Sequence, residues 1–370
     1  MNYEIKVFSE LNSELKAYWQ NLEAKSNGYC FQSYDWFENW MNNFRIDNKK
    51  YSLCVVTVSI QSKILCILPF EIEKKVNLKI LKWAGGKHSD YMAPILSEDF
   101  NLNKYDFIHL WRKITKLIPD IDLIYLSKQP QCINTVKNPF VSFLKNYKDS
   151  NTYNISLPKT WKEYTIQILK KNFHIQNLRK KKLLKKLGIV QFKIVTNENE
   201  KNKYIEELIK QKNARLSSQG IKDIFKLEDL NFYKNFERKK LSKIKTHLSA
   251  LSLNNELIAI HWGIIYNRRF YYLLLSMKED NLKKYSPGRL LISLLVRWSI
   301  AKKMQIFDFT LGDENYKKSW SNKNSYLSNY VESKSLKGFS LFLLIKFKLF
   351  LKQIDKKNYL RKIASIVKKI

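Results

Sequence analysis

The chain has 370 residues, 45% of them hydrophobic, which is long for one domain, comfortable for two, and enough apolar material to build real cores. With 67 Lys+Arg against 33 Asp+Glu the formal net charge is +34, a balance that taken alone points to nucleic acid, anionic lipid or an acidic substrate. The lysines are spread through every segment beside abundant Asn and Ile, as an AT-rich genome would produce, so nucleic acid is set aside as the main ligand. The 4 cysteines, Cys30, Cys54, Cys66 and Cys132, lack paired metal-ligand spacing and read as buried reduced thiols, so no metal is expected. No unbroken apolar run follows Met1 to Lys6 and none is long enough to span a bilayer, which predicts a cytoplasmic protein.

Helical spacing covers Leu11 to Ala24 and Tyr34 to Phe44. Tyr51 to Ile72 reads as a hairpin, Leu78 to Trp83 and Tyr91 to Leu96 as strands, and Lys104 to Ile118 as a helix. Asp122 to Leu126 and Thr152 to Leu157 close a first sheet around a polar loop, Gln129 to Asn138, and complete a first lobe at 1–157. A second lobe, 158–335, opens on the capping-box pattern Thr160-Trp161-Lys162-Glu163, and its first helical region stops at Gly188. Strand Val190 to Val195, helix Tyr204 to Ser217, a helix-like Asn231 to Leu241, a hairpin from Leu248 and a strand Phe270 to Met277 follow. Ser59 to Ile67 and Ser252 to Ile260 share one strand-turn-strand pattern, so a single unit is expected twice. Alternating elements of this kind predict mixed α/β layers. After Leu336 the chain turns into alternating lysines and apolars, ending Ile363-Ala364-Ser365-Ile366-Val367-Lys368-Lys369-Ile370. This tail, 336–370, reads as one or two basic amphipathic helices that either lie in an anionic lipid surface or pack on the first lobe.

The stretch Tyr285 to Trp320 concentrates the chemistry. Ser286-Pro287-Gly288-Arg289 is a strand-to-helix turn: Pro287 suits a helix start, and Gly288 lets backbone come close to a ligand. The free amides of such a first turn attract an anion. A leucine-rich helix to Lys303 follows, then Phe307-Asp308-Phe309 and the polar run Gly312 to Trp320. Strand alternation turns Asp308 away from its aromatic neighbours, onto a functional face as a general base or into a structural hydrogen bond. Glu314, in a loop, is a second candidate base. His261, in His261-Trp262-Gly263, reads either as a substrate ligand or base near neutral pH or as a core histidine.

Ser286-Pro287-Gly288 with Leu290-Leu291, Phe307-Asp308-Phe309, Gly312, Glu314, and Tyr316-Lys317 with Trp320 form a set that resembles a known family. Phe31-Gln32-Ser33 with Trp36 and Trp40, Leu68-Pro69, Asp90-Tyr91 with Pro94, and the basic run at Arg179 before Gly188 extend it over about residues 30 to 330. The family is that of acyltransferases with a Gcn5-related N-acetyltransferase (GNAT) fold, in the subgroup of cellulose-biosynthesis acetyltransferases related to Fem-type aminoacyl transferases. The resemblance implies an α/β fold of tandem GNAT-like lobes, each a mixed, mostly antiparallel sheet flanked by helices. It implies an acyl-CoA donor held by Ser286, Gly288, Arg289 and Leu290, with Leu275 and Ser276 of the preceding strand. By the same resemblance Lys317 steadies the carbonyl oxygen, and Arg215 and Trp320 lie on the acceptor side. Tyr316 could protonate the leaving thiolate. The run Arg179-Lys180-Lys181-Lys182 departs from the family's arginine-rich pattern; its positive face, Arg179 and Lys182 included, either recognises a phosphate-bearing acceptor or is simply solvated. The implied activity is transfer of an acyl group to an amine on a cell-envelope sugar or polysaccharide precursor, small or lipid-linked. Two alternatives stay open: a Fem-like transferase using aminoacyl-tRNA, and a non-catalytic binding protein.

Overall fold

The computed structural model describes residues 2–354 except 27, 46–48, 134, 222–224, 239–242 and 279–280. The chain divides into two compact units, one of Met1–Phe37, Asp47–Asn151 and the chain from Ser325 onward, the other of Glu38–Ile46 and Thr152–Asn324. In chain order the first elements are β1 (Glu4–Phe8), α1 (Ser13–Lys25), α2 (Tyr34–Phe44), β2 (Tyr51–Ile60), β3 (Lys63–Lys75), β4 (Leu78–Trp83) and β5 (Ile95–Leu96). They continue as α3 (Lys104–Leu117), β6 (Leu123–Pro130), β7 (Cys132–Ile133), β8 (Val136–Lys137), α4 (Pro139–Ser142) and β9 (Asn146–Ser156). Then come α5 (Trp161–Glu163), α6 (Lys171–Lys185), β10 (Val190–Ile194), α7 (Glu198–Ser218), α8 (Leu227–Arg238), β11 (Lys245–Leu253), β12 (Glu256–Tyr266) and β13 (Arg269–Met277). The last are α9 (Pro287–Ala301), β14 (Ile306–Leu311), α10 (Asn315–Trp320), β15 (Lys323–Ser333) and α11 (Leu336–Ile354).

Each unit repeats one plan. The first sheet runs β1-β2-β3-β4-β6-β15 with β5 added on β3, and the second runs β9-β14-β13-β12-β11-β10. Within each, every pairing is antiparallel except one: β4 with β6, and β13 with β14. Both parallel pairs are joined through a helix, α3 or α9, as a parallel pair requires. The central hairpins turn on Gln61-Ser62 and Asn254-Asn255, all four at positive φ, and each carries a register shift at the same place, between Val58 and Ser59 or between Leu251 and Ser252. Such paired positive-φ turns match the twist of the strands they join. The short repeat in the sequence is therefore the visible part of a whole duplicated lobe.

Burial follows the patterning. In the first unit Val56, Val58, Leu68, Phe70, Leu81, Leu126 and the α3 residues Phe107, Leu110, Trp111 and Ile114 form one core, with Phe140 at its aromatic centre. In the second, α9 lays Leu291, Leu295 and Val296 against Phe270, Phe307 and Phe309. On β12 the alternation splits neighbours: His261 packs with Phe270 and Tyr272, whereas Trp262 packs with Tyr233 and Phe236 of α8 and donates to Glu237 Oε1 at 2.9 Å.

Some expectations change. Of Tyr91 to Leu96 only Ile95–Leu96 is strand, because Met92 N–H bonds the Lys128 carbonyl at 3.0 Å instead of a ladder partner. The expected loop Gln129 to Asn138 contains the end of β6 and the small hairpin β7–β8. The helical region before Gly188 is broken: Thr160 Oγ1 accepts from Glu163 N–H at 3.1 Å, but Leu169 then bonds back to the Tyr164 carbonyl in a wide turn before α6 begins. Strand β15 was not anticipated at all. Cys30, Cys54 and Cys66 are buried while Cys132 is exposed, and burial pushes the Cys54 and Cys66 thiols up to about 12. Leu241, and the tail's second helical stretch at Ile363 to Ile370, lie outside the described residues.

Helix α11 docks through Gly338, where an added Cβ would stand 1.9 Å from the Asp122 carbonyl oxygen. Gly338→Val is expected to destabilise the first unit by roughly 2 kcal/mol, seen as a lowered urea midpoint and faster protease cleavage at the base of α11.

Candidate functional site

Strands β13 and β14 are paired for only three residues, Arg269↔Ile306, Phe270↔Phe307 and Tyr271↔Asp308. Beyond this point β13 continues to Met277 and β14 to Leu311, but no ladder joins them. The departure is built into β14. Asp308 Oδ1 accepts from Thr310 N–H at 2.8 Å, Thr310 takes φ 57°, and the register against β9 skips between Asp308 and Leu311. Two parallel strands that part leave a gap whose facing edges still need hydrogen-bond partners.

At one side of this gap lies the start of α9. Ser286 adopts the left-handed conformation and gives the helix no side-chain cap, Pro287 has no N–H, and the first turn carries no acidic residue. Cations gather round it instead. Lys180 of α6 donates to Ser286 Oγ at 2.6 Å, and Arg289 lies 4.3 Å over the Phe173 ring. Burial, then Arg289, lowers the Lys180 pKa, and burial lowers that of Arg289. Asn177, Lys180, Lys181, Ser286 and Arg289 line a cavity of about 120 Å³. Among the described residues, Arg289 Nε and Nη2 and both side-chain polar atoms of Asn177 are buried without a hydrogen-bond partner. The Arg289 and Leu290 N–H groups both bond the Ser286 carbonyl, so among the described residues the Gly288 N–H is the first-turn amide left without a partner. Buried donors are normally satisfied, so an unused guanidinium edge beside that amide is chemically suited to an anion of phosphate type. Gly288 is needed for packing here: a Cβ would meet Met277 Sδ at 3.0 Å and Leu275 Cδ2 at 3.2 Å.

At the other side of the gap stands a polar cluster. Lys212 of α7 donates to the Leu275 carbonyl, beyond the last paired residue of β13, at 3.1 Å. Burial brings its pKa down to about 8, with Arg215 and Lys317 pushing the same way and Glu314 opposing them. Lys317 is buried, donates to the Leu311 carbonyl at 2.5 Å and pairs with Glu314 at 3.0 Å. Gly312, at φ 135°, makes this possible, since a Cβ would sit 2.1 Å from Glu314 Oε2 and 2.7 Å from Lys317 Nζ. Tyr272, the first residue of β13 past the parting, has its hydroxyl buried without a partner among the described residues. Burial first, then Tyr316, holds the Tyr272 pKa well above the ordinary phenol value. Tyr316 is raised too, by burial and by Glu314. Both phenols therefore keep their protons at neutral pH.

The residues singled out in the sequence are distributed unevenly over this site. Ser286, Gly288, Arg289, Leu290 and Leu275 gather around the α9 start, while Ser276 is turned to Gln211, donating to its Oε1 at 3.0 Å. Glu314, Tyr316, Lys317 and Arg215 come together through mutual electrostatic influence. Glu314 is the residue preceding α10 rather than part of a free loop. Asp308 is fully buried and paired with Arg269 at 2.8 Å, so its carboxylate serves the β13–β14 parting and is closed to a substrate. His261 is likewise fully buried, stacked on Tyr272 at 4.6 Å, and burial followed by His247 keeps its pKa well below the ordinary value. Trp320 is core: it packs edge-on to Phe173, and its carbonyl accepts from Tyr164 Oη at 2.8 Å. Arg179 and Lys182 are exposed on α6, whereas their neighbours Lys180 and Lys181 face the α9 cavity.

Two site residues escaped the sequence reading. Lys212 follows Ile205, Leu208 and Ile209 on the buried stripe of α7, so a lysine at an apolar helical position was the available signal. Tyr272 alternates with Phe270 and carried none. Among the described residues no group of three or more His, Cys, Asp or Glu could hold a metal ion, and no helix is long and apolar enough to cross a membrane.

Residues 173–318 match the family profile described as an acetyltransferase (GNAT) domain, a span that contains the gap, the α9 start and the Lys212 cluster. Among solved structures the chain is similar to FemX, with TM-score 0.58 and 11% identity over 92% of this chain and 99% of that one. It is similar to L-PGS from Bacillus licheniformis, with TM-score 0.53 and 11% identity over 95% and 100%. It is also similar to a tandem GNAT protein from the clavulanic acid biosynthesis pathway, with TM-score 0.50 and 7% identity over 90% and 99%. At these identities the likeness establishes a shared tandem fold. No curated protein matches the sequence.

The buried histidine pair makes an acid-sensitive core. Burial lowers His247 to about 4 from 6.5, so below pH 6.5 the unfolded chain binds more protons than the folded one and stability falls with pH. His247 alone is expected to cost on the order of 3 kcal/mol by pH 4. Urea midpoints between pH 7 and 4 should therefore decline, and less steeply in His247→Phe than in the parent.

Proposed function

We propose that the second unit is an N-acyltransferase taking its acyl group from a coenzyme A thioester and delivering it to an amine of a cell-envelope sugar or related precursor. The observation that carries this reading is a strand gap in the same unit as an uncapped, cation-lined helix start. An extended pantetheine thioester arm joined to a pyrophosphate needs a free strand edge and an anion site together. The orphan Arg289 edge, Lys180, Lys181 and the Gly288 N–H supply the second.

In the transfer the amine nitrogen bonds the thioester carbon, the carbon–sulfur bond breaks, one proton leaves the amine and one reaches the departing thiolate. With its pKa near 8, Lys212 has a useful neutral fraction close to physiological pH and can accept the amine proton. The unused Tyr272 hydroxyl is a donor available to the developing oxyanion. Tyr316, which retains its proton, can supply the thiolate. Lys317 and Glu314 hold the Gly312 turn in place and set the charge around Lys212. Asp308 and His261 take no part in these proton transfers.

Calorimetry or native mass spectrometry with acetyl-CoA, longer acyl-CoAs and aminoacyl-tRNA tests the donor. Saturable, salt-sensitive acyl-CoA binding is expected, weakened about tenfold in Arg289→Met, as the loss of a charge-assisted contact requires. Binding of aminoacyl-tRNA alone would move the protein to a Fem-like activity, and binding of neither would leave a non-catalytic protein.

Lys212→Met separates catalysis from folding. Turnover is expected to fall by about 10²- to 10⁴-fold and to lose a limb rising through pH 8. The melting temperature should rise, since a poorly solvated ammonium has been removed. Unchanged turnover would remove Lys212 from the mechanism.

A further inference from the structure

Helix α11 carries an apolar face that the first unit does not cover. Gly338 and Leu349 are buried on its inner side, while Leu336, Phe339, Leu343, Phe347 and Phe350 are all about half exposed or more, Leu336 at 95%. At 3.6 residues per turn these five fall within an arc of roughly 80° opposite the buried side. Lys346 borders this arc on one edge; on the other, Leu344, 65% exposed, widens it by roughly 60°, and Lys337 and Lys348 follow. No Asp or Glu occurs anywhere in α11. The residues that follow it, 355–370, contain six Lys or Arg and one Asp.

Next to the start of α11 is a cavity of about 930 Å³ whose lining includes Lys74, Lys75, Lys79, Lys116, Lys334 and Lys337 against two carboxylates, Asp120 and Asp122. Lys79 pairs with Asp120 at 3.1 Å and Lys334 with Glu332 at 2.7 Å. Among the described residues, Lys74, Lys75, Lys116 and Lys337 have no carboxylate within ion-pair distance. An apolar stripe edged by lysines, continuous with a cationic hollow, complements a surface that is hydrocarbon below and phosphate above. A protein partner would have to match the stripe and the hollow with two separate chemistries, which an anionic bilayer supplies at once.

We infer that α11 is a membrane-docking helix that lies in the plane of an anionic phospholipid surface, with Leu343, Phe347 and Phe350 in the acyl boundary and a lipid phosphate in the lysine-lined hollow. This rests on the first unit alone and is independent of the acyl donor. It would place the enzyme beside acceptors carried on lipid.

The test is co-sedimentation of the full chain with vesicles of phosphatidylcholine, alone or mixed with phosphatidylglycerol. Binding is expected on the mixed vesicles only and to weaken with salt. Leu343→Ser combined with Phe347→Ser should reduce partitioning at least tenfold, and Lys337→Gln by about fivefold. All three substitutions are at exposed positions, so melting temperature and soluble acyl-CoA binding should stay at parental values in both variants. Equal binding to neutral vesicles, no binding, or full binding by the apolar double variant would overturn the inference. So would a lipid-free dimer of the parent chain that the double variant abolishes, since the face would then serve a second copy.

Discussion

The parting of β13 from β14 is the constraint on which the rest of the second unit depends. A parallel ladder is self-satisfying as long as it runs, and here it stops after Tyr271 and Asp308. What stops it is a buried charge. Asp308 holds Arg269 with one oxygen and the Thr310 amide with the other, turning the backbone of β14 aside at the point where pairing would otherwise continue. Taking one member of such a buried pair away typically costs about 3–5 kcal/mol. The ion pair thus keeps a strand edge exposed at the expense of the hydrogen bonds a longer ladder would make, and the site residues are those that meet that edge: Lys212 at the Leu275 carbonyl, Tyr272 at the fork, Lys317 at the Leu311 carbonyl.

The duplicated first unit shows what happens when the same geometry is not used. Its parallel pair is joined only at Ile80↔Leu123 and Leu81↔Ile124, and β6 has its own positive-φ residue, Lys128, as β14 has Thr310. There the connection between β4 and α3 folds back along β6. Met92 N–H bonds the Lys128 carbonyl, and Lys128 Nζ donates to the carbonyls of Gly86 and Ser89 at 3.1 and 2.8 Å. The helix start is closed as well: Asn103 accepts from the Asp106 amide at 2.9 Å, and Asp106 supplies the negative charge that α9 lacks. One lobe has spent its edge and its helix end on itself; the other has left both open.

This difference explains what could be read in advance. The duplication was legible because a hairpin with its turn is local, and the α9 start was legible because Ser286-Pro287-Gly288 states a backbone conformation in three adjacent residues. Strand β15 was not, since it pairs with β6 across some two hundred positions of sequence and carries the polar stretch Lys323 to Ser328. Asp308 could be placed on a face, but whether that face met substrate or Arg269 depended on a partner thirty-nine residues away. The lysine-rich composition hid signals too. Lys180, Lys181, Arg179 and Lys182 are nearly indistinguishable in the string, and only the phase of α6 against α9 separates the two that line the cavity from the two in solvent.

That phase also bears on why the cations at α9 are worth attention in a chain with so many. A solvated lysine keeps its ordinary pKa and lies far from its neighbours, because nothing holds like charges together. Lys180 and Arg289 are held together, each loses charge stability to burial, and Arg289 keeps two donors that reach neither protein nor solvent. A fold gains nothing in its own right from such an arrangement: it forgoes hydration without making an ion pair. An anion arriving from outside the chain would remove that deficit, and the α9 start already points a partial positive charge toward the place where it would sit.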